Sequence, residues 1–452
     1  MKQYIPENLD LDGLLLDNPP KFKYHRDHFV HVLNLLTEIP ARNKDLINED
    51  GWVPINAQKL QKRNRNYNRY LEYLVYYKVL ECDPQYIPGE KSREYRFANE
   101  YRTVCTPVEI SKYTLTKSLG KPMISQKITE KRYPFLAKYF NNDLSIDFPA
   151  AVEYLHHSYS FNCVNGVKNP ALKYNVALVS AAKFRDHEYF FHVDNTVNRL
   201  HTNLTGCKSE LRNFITYSGM DLVSIDLKNS QPWLSTILLD PKFYASEGFS
   251  SSFFNIFKNS YNSSTKSYIF TNSHIMLVKN DVCVDAVAKP DALIYREKVM
   301  DGTIYEYLAD ELYNRTGVMI TDRKEIKRTM FTVLFSDNRF YGQEGAWVKR
   351  MFHDIFPSVY NVFKTIKKHD SSALPVLLQR MEASLMLDHV ATRISREHPE
   401  VPIFTIHDSI VCPVGWEDYV ASVIKEESES CLGAVPKLSF DYWGIDNVKN
   451  VA

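Results

Sequence analysis

The chain has 452 residues, enough for two or three domains. Its 55 Lys and Arg balance 54 Asp and Glu to a net charge of +1, which excludes a uniformly basic coat or arm protein and confines any nucleic-acid contact to local basic patches. A composition 44% hydrophobic and 24% charged excludes a disordered chain, and a total of 15 glycines excludes collagen-like, linker-rich and propeller architectures.

Met1 to Pro19 lacks a basic start followed by an apolar run, so no secretory leader is read there, and no later apolar run is long enough to cross a membrane. The turn signal Asn18-Pro19-Pro20 closes an irregular lead-in. Residues 24–38 then carry helical spacing through Phe29, Val32, Leu33, Leu35 and Leu36. A basic helix is expected from Lys59 to Lys78. Five cations without an acid (Lys59, Lys62, Arg63, Arg65 and Arg69) open it, interleaved with Asn64, Asn66, Asn68, Tyr67 and Tyr70. Such a face suits phosphate and groove contacts, though it also reads as a solvated charged surface. A strand at Val79–Cys82, a turn at Pro88-Gly89-Glu90 and a returning strand at Glu94–Phe97 follow. Two helices and a hairpin with a basic tip (Lys91, Arg93, Arg96) are the order of a winged-helix unit.

Residues 110–195 read as mainly helical, with a strand near Tyr189–Val193. The pair His156-His157 is not a metal site in this reading, because adjacent helical side chains face different ways. The seven cysteines (Cys82, Cys105, Cys163, Cys207, Cys283, Cys412, Cys431) are odd in number, widely spaced and free of any C-x-x-C. Neither a zinc framework nor a disulfide scaffold is expected, and a reduced cytoplasmic setting is.

Three segments carry chemistry. Leu222-Val223-Ser224-Ile225 is an apolar strand that delivers Asp226 at its end, before a helix starting near Pro232. Next, Asp322 and Glu325 have the spacing of a capping box for a helix on which Arg323, Lys327, Phe331 and Phe335 recur every four residues. Two cations and two rings then share one stripe, which suits a triphosphate followed by a sugar and base. An ordinary amphipathic helix with Met330, Phe331 and Leu334 in the core is the plainer reading. The third segment, Pro402 to Pro413, has two apolar strands flanking His407-Asp408-Ser409, so a second carboxylate stands at a hairpin turn. Two aspartates on neighbouring strands would hold two Mg²⁺ about 3.5–4 Å apart, the arrangement for in-line phosphoryl displacement. Mn²⁺ would serve as well.

In motif order and residues, the chain resembles the single-subunit polymerase superfamily, which unites family A DNA polymerases with the phage and mitochondrial single-subunit RNA polymerases. The resemblance covers residues 195–446. It rests on Asp226, on Arg323, Lys327, Phe331 and Phe335 (Phe where the family has Tyr), and on His407-Asp408-Ser409. Flanks support it: Arg199-Leu200-His201-Thr202, Leu211-Arg212-Asn213, Gln379 opening a helix, and the tail Val435 to Asp441 with Gly444.

The resemblance implies an α+β right hand, with an antiparallel palm sheet, helical fingers and a helical thumb, joined to the N-terminal winged-helix-like unit. Domains are expected at 1–108 (winged-helix-like), 109–195 (thumb-like) and 196–452 (palm and fingers), leaving no room for a proofreading exonuclease. It also implies a template-directed nucleotidyltransferase, read here as a DNA-directed DNA polymerase of a phage or other mobile element. A single-subunit RNA polymerase or primase, or an inactive polymerase-like binding protein, are the alternatives. Asp226 and Asp408 would hold the metals, and Lys327 would protonate the leaving group. Arg323, Lys327, Phe331, Phe335, Asn229 and Gln231 would meet the nucleoside triphosphate. Arg199, His201, Gln379 and His407 would touch the template or primer-template, as would Lys62, Arg63, Arg65 and Arg69 upstream. A monomer without membrane contact is expected.

Overall fold

The computed structural model describes residues 1–240 and 289–449, except 44–45, 49, 84, 86, 88–90, 121–123, 318 and 321, together with the backbone of 261–262 and 267–268. The turn expected at Pro88-Gly89-Glu90, and Cys283, lie outside the described residues. The chain divides into two units. One comprises residues 1–192, 201–222 and 443–452, and the other residues 193–200 and 223–442. The expected boundary at 108/109 therefore falls inside the first unit, and that at 195/196 falls near the change of unit.

In the first unit β1 (Lys2–Pro6) and a short helix at Leu11–Asp17, where the sequence suggests an irregular lead-in, are followed by α1 (Arg26–Arg42), β2 (Val53–Pro54), α2 (Ala57–Arg63), α3 (Tyr67–Tyr76), β3 (Leu80–Asp83), β4 (Glu94–Phe97) and β5 (Cys105–Glu109). β4 lies between β2 and β3, and β1 pairs antiparallel with β5. The helical spacing read at 24–38 appears as α1, whose Phe29, Val32, Leu33 and Leu36 pack with Leu60, Leu71, Leu74, Leu80, Tyr95 and Phe97 in one core. The single basic helix expected from Lys59 to Lys78 is instead two helices. The Asn64 backbone N–H closes α2 on the Leu60 carbonyl, and the Asn64 side chain accepts from the Asn66 N–H at 3.0 Å. Asparagine competes for backbone groups in this way and favours a turn over helix continuation. Further helices include Phe148–Val164 and α4 (Pro170–Arg185), ahead of a short strand at Phe191–Val193.

The second unit is built on a four-stranded sheet. β6 (Leu222–Leu227) leads into α5 (Ser230–Ile237), and helices α6 (Ile304–Thr316), α7 (Arg323–Phe335), α8 (Trp347–Ile355), α9 (Pro357–Ile366) and α10 (Ala373–Ala383) follow. A π-helical stretch, Ser384–Ala391, continues α10 before β7 (Phe404–Ile406), β8 (Ser409–Pro413), α11 (Glu417–Leu432) and β9 (Leu438–Tyr442). The strand order is β7-β8-β6-β9, with β7/β8 and β6/β9 antiparallel. α5 starts two residues before Pro232. Proline tolerates this first-turn position because its missing N–H would have been unsatisfied there anyway. Gln379 lies within α10 rather than opening a helix. Among the described residues, no helix is long and apolar enough to cross a membrane.

Candidate nucleotidyl-transfer site

β6 is buried along its length except at Asp226, the next-to-last residue of the strand. Val223, Ile225 and Leu227 anchor it in the core, so the carboxylate is carried by a strand with little freedom to move. The Ser224 hydroxyl donates to Asp226 Oδ1 at 3.4 Å. Ile406 pairs with Ser409, leaving His407 and Asp408 as a two-residue turn with His407 at φ +54°. The Leu227 N–H then donates to the Asp408 carbonyl at 3.2 Å. The two aspartates thus flank a single hydrogen bond between neighbouring strands.

A third carboxylate, Glu382 of α10, acts on Asp408, though the three do not gather within 4.8 Å of one another. Glu382 is 1% exposed, and both its oxygens are engaged. Arg199 Nε donates to Oε1 at 2.8 Å, and its Nη2 donates to the same oxygen. The Ser230 hydroxyl and the Gln231 amide donate to Oε2 at 2.9 and 2.6 Å. Arg199 is thereby held inside the protein by an ion pair. Gln231 is pinned through its Nε2, while its Oε1 is buried without a hydrogen-bond partner among the described residues, as is Asn229 Nδ2. Burial, Glu382 and Asp226 together push the Asp408 carboxyl up to about 7, against the opposing pull of its own backbone N–H and of Arg199. Close carboxylates that repel one another in this way form a site that a cation stabilises.

α7 presents the expected stripe away from its core side. Ile326, Met330, Val333 and Leu334 are buried, Arg323 and Lys327 are exposed, and Phe331 and Phe335 are half-buried. The two rings stack at 5.4 Å between centroids, with Lys327 Nζ 5.5 Å from the Phe331 ring. Phe331 is therefore not a core residue as in the plain amphipathic reading. Asp322 caps the helix through the Lys324 N–H, one residue earlier than a capping box expects. Arg323 pairs with Glu306 at 3.0 Å, and its guanidinium lies 5.1 Å from the Tyr305 ring centre. The buried Tyr305 phenol, pushed up to about 12 by burial, also feels Arg323 and the Asp408 carboxylate.

The far end of α7 is held by two buried lysines. Lys367 Nζ donates to the carbonyls of Val333, Leu334 and Ser336 at 2.8, 3.2 and 3.1 Å. Lys349 Nζ donates to the Ser336 and Asp337 carbonyls at 3.3 and 2.7 Å. The Val333, Leu334 and Ser336 carbonyls are acceptors that a helix end leaves unsatisfied, and burial pushes both ammonium groups down, Lys367 to about 7. The orientation of α7 is thus fixed from its C-terminus, and its N-terminal cations stay exposed.

In the first unit Lys62, Arg65 and Arg69 are exposed, whereas Arg63 is half-buried. Arg63 Nη1 lies 3.4 Å from His31 Nε2 and joins a buried group around Glu38 instead of the solvent-facing surface. α2, α3 and the β3–β4 hairpin enclose a cleft of about 560 Å³ whose lining includes Asn56, Gln58, Tyr67, Asn68, Lys91 and Arg93. Gln379 is half-buried on α10, and His201 is half-buried on the short strand Leu200–Thr202. His156 faces the Tyr174 hydroxyl at 3.3 Å.

The sequence reading missed Glu382, Tyr305, Lys349 and Lys367. A signal existed for Glu382: the one acid of α10, set among Leu374, Leu377, Leu378 and Met381, must be paired to be buried. No protein-family model matches the chain, and no curated protein sequence does. Among solved structures, the chain is similar to the POL domain of Pol1 from M. smegmatis in complex with DNA primer-template and dNTP. It is 12% identical over 70% of this chain and 69% of that one, with a TM-score of 0.30. A likeness that loose does not fix a fold.

Proposed function

We propose that this protein is a template-directed nucleotidyltransferase, most simply a DNA-directed DNA polymerase. The observation that carries the reading is the aspartate pair: Asp226 near the end of β6 and Asp408 in the turn before β8, far apart in sequence, are brought close enough that Asp226 raises the Asp408 carboxyl. Such a pair is costly to fold and gains its use from a divalent cation. Asp226 and Asp408 would hold Mg²⁺ ions, with Mn²⁺ as a substitute. When bound, these ions supply charge neutralisation at the attacking hydroxyl and at the departing pyrophosphate. Glu382, fully engaged by Arg199, Ser230 and Gln231, positions rather than ligates.

The exposed cations Arg323 and Lys327 would meet the triphosphate, and Lys327 would deliver a proton to the leaving group. Phe331 and Phe335 offer a stacked apolar surface to sugar and base. The orphaned Asn229 Nδ2 and Gln231 Oε1, a donor and an acceptor, suit a polar ligand such as a nucleotide. The helix, strand and hairpin order of the first unit supports a winged-helix-like module whose exposed Lys62, Arg65 and Arg69 would contact nucleic-acid phosphates. Arg199, His201, Gln379 and His407 remain the residues proposed for template or primer.

Labelled-nucleotide incorporation on primed and unprimed templates, with dNTPs against rNTPs, tests the reading. Extension of a primer with dNTPs supports it. Exclusive use of rNTPs would favour the RNA polymerase or primase alternative. Binding without incorporation would leave an inactive polymerase-like protein.

A further inference from the structure

Away from the aspartate pair, the second unit gathers another group of metal-capable side chains. Glu427 and Cys431 stand four residues apart on α11, so they share a face of the helix. His389 comes from the π-helical stretch Ser384–Ala391 that packs against it. One imidazole nitrogen, one carboxylate oxygen and one thiol sulfur all lie within 4.8 Å of one another. His389 Nδ1 is 3.4 Å from Cys431 Sγ and 3.8 Å from Glu427 Oε2. Cys431 is 3% exposed, while the His389 and Glu427 side chains keep 21% and 19% of their surface, which leaves an ion a way in.

A buried thiol–imidazole hydrogen bond beside an acid would account for part of this. It does not account for the way the carboxylate is held. Arg393 Nη1 binds Glu427 Oε1 at 3.2 Å and leaves Oε2 turned toward His389. Arg393 is itself anchored by Glu397 and Glu426 at 2.8 and 2.7 Å, so its charge is offset on its far side. An outer hydrogen bond that orients a carboxylate is the usual support of a metal ligand. The π-helix points the same way. Its wider turn changes the angle at which successive side chains emerge, and such turns concentrate at functional sites.

We propose that His389, Glu427 and Cys431 bind a zinc-class divalent cation. Thiolate, imidazole and carboxylate together suit Zn²⁺ and not Mg²⁺, and three protein ligands leave a fourth tetrahedral position for water. Binding replaces the Cys431 S–H bond with a metal–sulfur bond and releases one proton to solvent. The widely spaced cysteines hide such a site from any motif search, since its ligands come from two helices. The π-helical stretch also packs against β7 and β8. The ion would therefore clamp that stretch to α11 behind the hairpin that carries Asp408.

The test uses the full chain, stripped with a chelator and titrated with Co²⁺ alone, then with Zn²⁺. One equivalent of Co²⁺ should give a thiolate-to-cobalt charge-transfer band with the strong visible bands of tetrahedral cobalt. Zn²⁺ should bleach both and raise the melting temperature. Cys431→Ser, a near-isosteric change, should abolish the charge-transfer band, and Glu427→Gln should weaken Co²⁺ binding by tenfold or more. Asp226→Asn should leave the band in place, separating this site from the aspartate pair. A parent protein with no charge-transfer band, or a band that survives Cys431→Ser, overturns the proposal.

Discussion

Each unit buries carboxylates, and the two surround them differently. In the first, Glu38 on α1 stands beside Lys183 at 3.5 Å and Arg42 at 2.7 Å, with His31 nearby. Burial alone would raise its carboxyl, but Lys183, Arg42 and His31 outweigh burial and hold it well below the usual carboxylate range. In the second, Asp408 has two acids for neighbours and is pushed up to about 7. The first arrangement is electrostatically complete and stabilises the join of α1 and α4. The second is deficient in positive charge, as the proposed cation site requires. Buried charge by itself therefore says little about function, whereas the sign of its surroundings says a good deal.

Asp226→Asn or Asp408→Asn gives the largest expected effect. Either should lower nucleotide incorporation on the order of 10³-fold or more while the fold survives, because an amide cannot replace a ligating carboxylate. Stability should move the other way. An acid whose folded pKa is raised loses stability as pH climbs from the unfolded value toward about 7, and the full cost is present above that. Melting temperature in chelator should thus fall over that range for the parent and less so for Asp408→Asn. Added Mg²⁺ should restore it in the parent alone. An unchanged incorporation rate in either variant would remove the catalytic assignment.

Glu38→Gln should do the reverse, sparing the chemistry and costing about 3 kcal/mol of stability, since it strands the buried Lys183 ammonium. Its pH dependence has the opposite sign. A depressed folded pKa contributes stability that is present above the unfolded value and lost as pH falls through the acid range. Denaturant titration at neutral and acid pH checks both the size and the sign. A Glu38→Gln protein as stable as the parent would mean that the cluster in the first unit is no better balanced than the one in the second.

The exposed cations of the α2–α3 segment sharpen the contrast within the first unit. Reversing Lys62, Arg65 and Arg69 together should weaken DNA binding and flatten the slope of log K against log salt by about 0.9 for each phosphate no longer neutralised. Arg63, drawn toward Glu38 and His31, should instead show its removal as reduced stability with little change in slope. Binding measured across a salt series separates the two. If all four substitutions behaved alike, Arg63 would be working at the surface after all.

Much of the second unit was legible because its signals are local. An apolar run ending at Asp226, a polar tip between two apolar strands at His407-Asp408, and four-residue spacing along α7 each announce themselves within a dozen residues. The positions that give those residues their environment were not legible. Arg199 and Glu382 meet across 183 positions, and Lys367 reaches back 31 to 34 positions to the carbonyls that end α7. No local pattern encodes such pairings, and a lysine in an amphipathic helix reads as solvated until its cavity is seen. The split of the basic helix at Asn64 was in the sequence, as a run of turn-favouring asparagines, and was overridden there by the apolar spacing.

The smallest expected effect concerns the sugar, and it depends on how Glu382 holds Gln231. The resemblance places a Glu at this position in the DNA enzymes, where it blocks a 2′-hydroxyl, and a Tyr hydroxyl at the position of Phe335 in the RNA enzymes. Here the Gln231 amide is tied by its Nε2 to Glu382, so its bulk is fixed in place and its Oε1 is left as an acceptor. Phe335 has no hydroxyl to offer, which forgoes about 0.5–1.5 kcal/mol of hydrogen bonding to a ribose. Bulk and a missing donor both disfavour rNTPs, while the orphaned oxygen offsets part of that by accepting from a sugar hydroxyl. The parent should therefore prefer dNTPs by less than a glutamate gate would give, with measurable ribonucleotide incorporation in competition. Gln231→Gly should raise ribonucleotide use, and adding Phe335→Tyr should raise it again by up to about tenfold, the equivalent of one neutral hydrogen bond. Discrimination ratios measured for the parent and both variants decide it. Identical ratios across all three would show that neither residue meets the sugar.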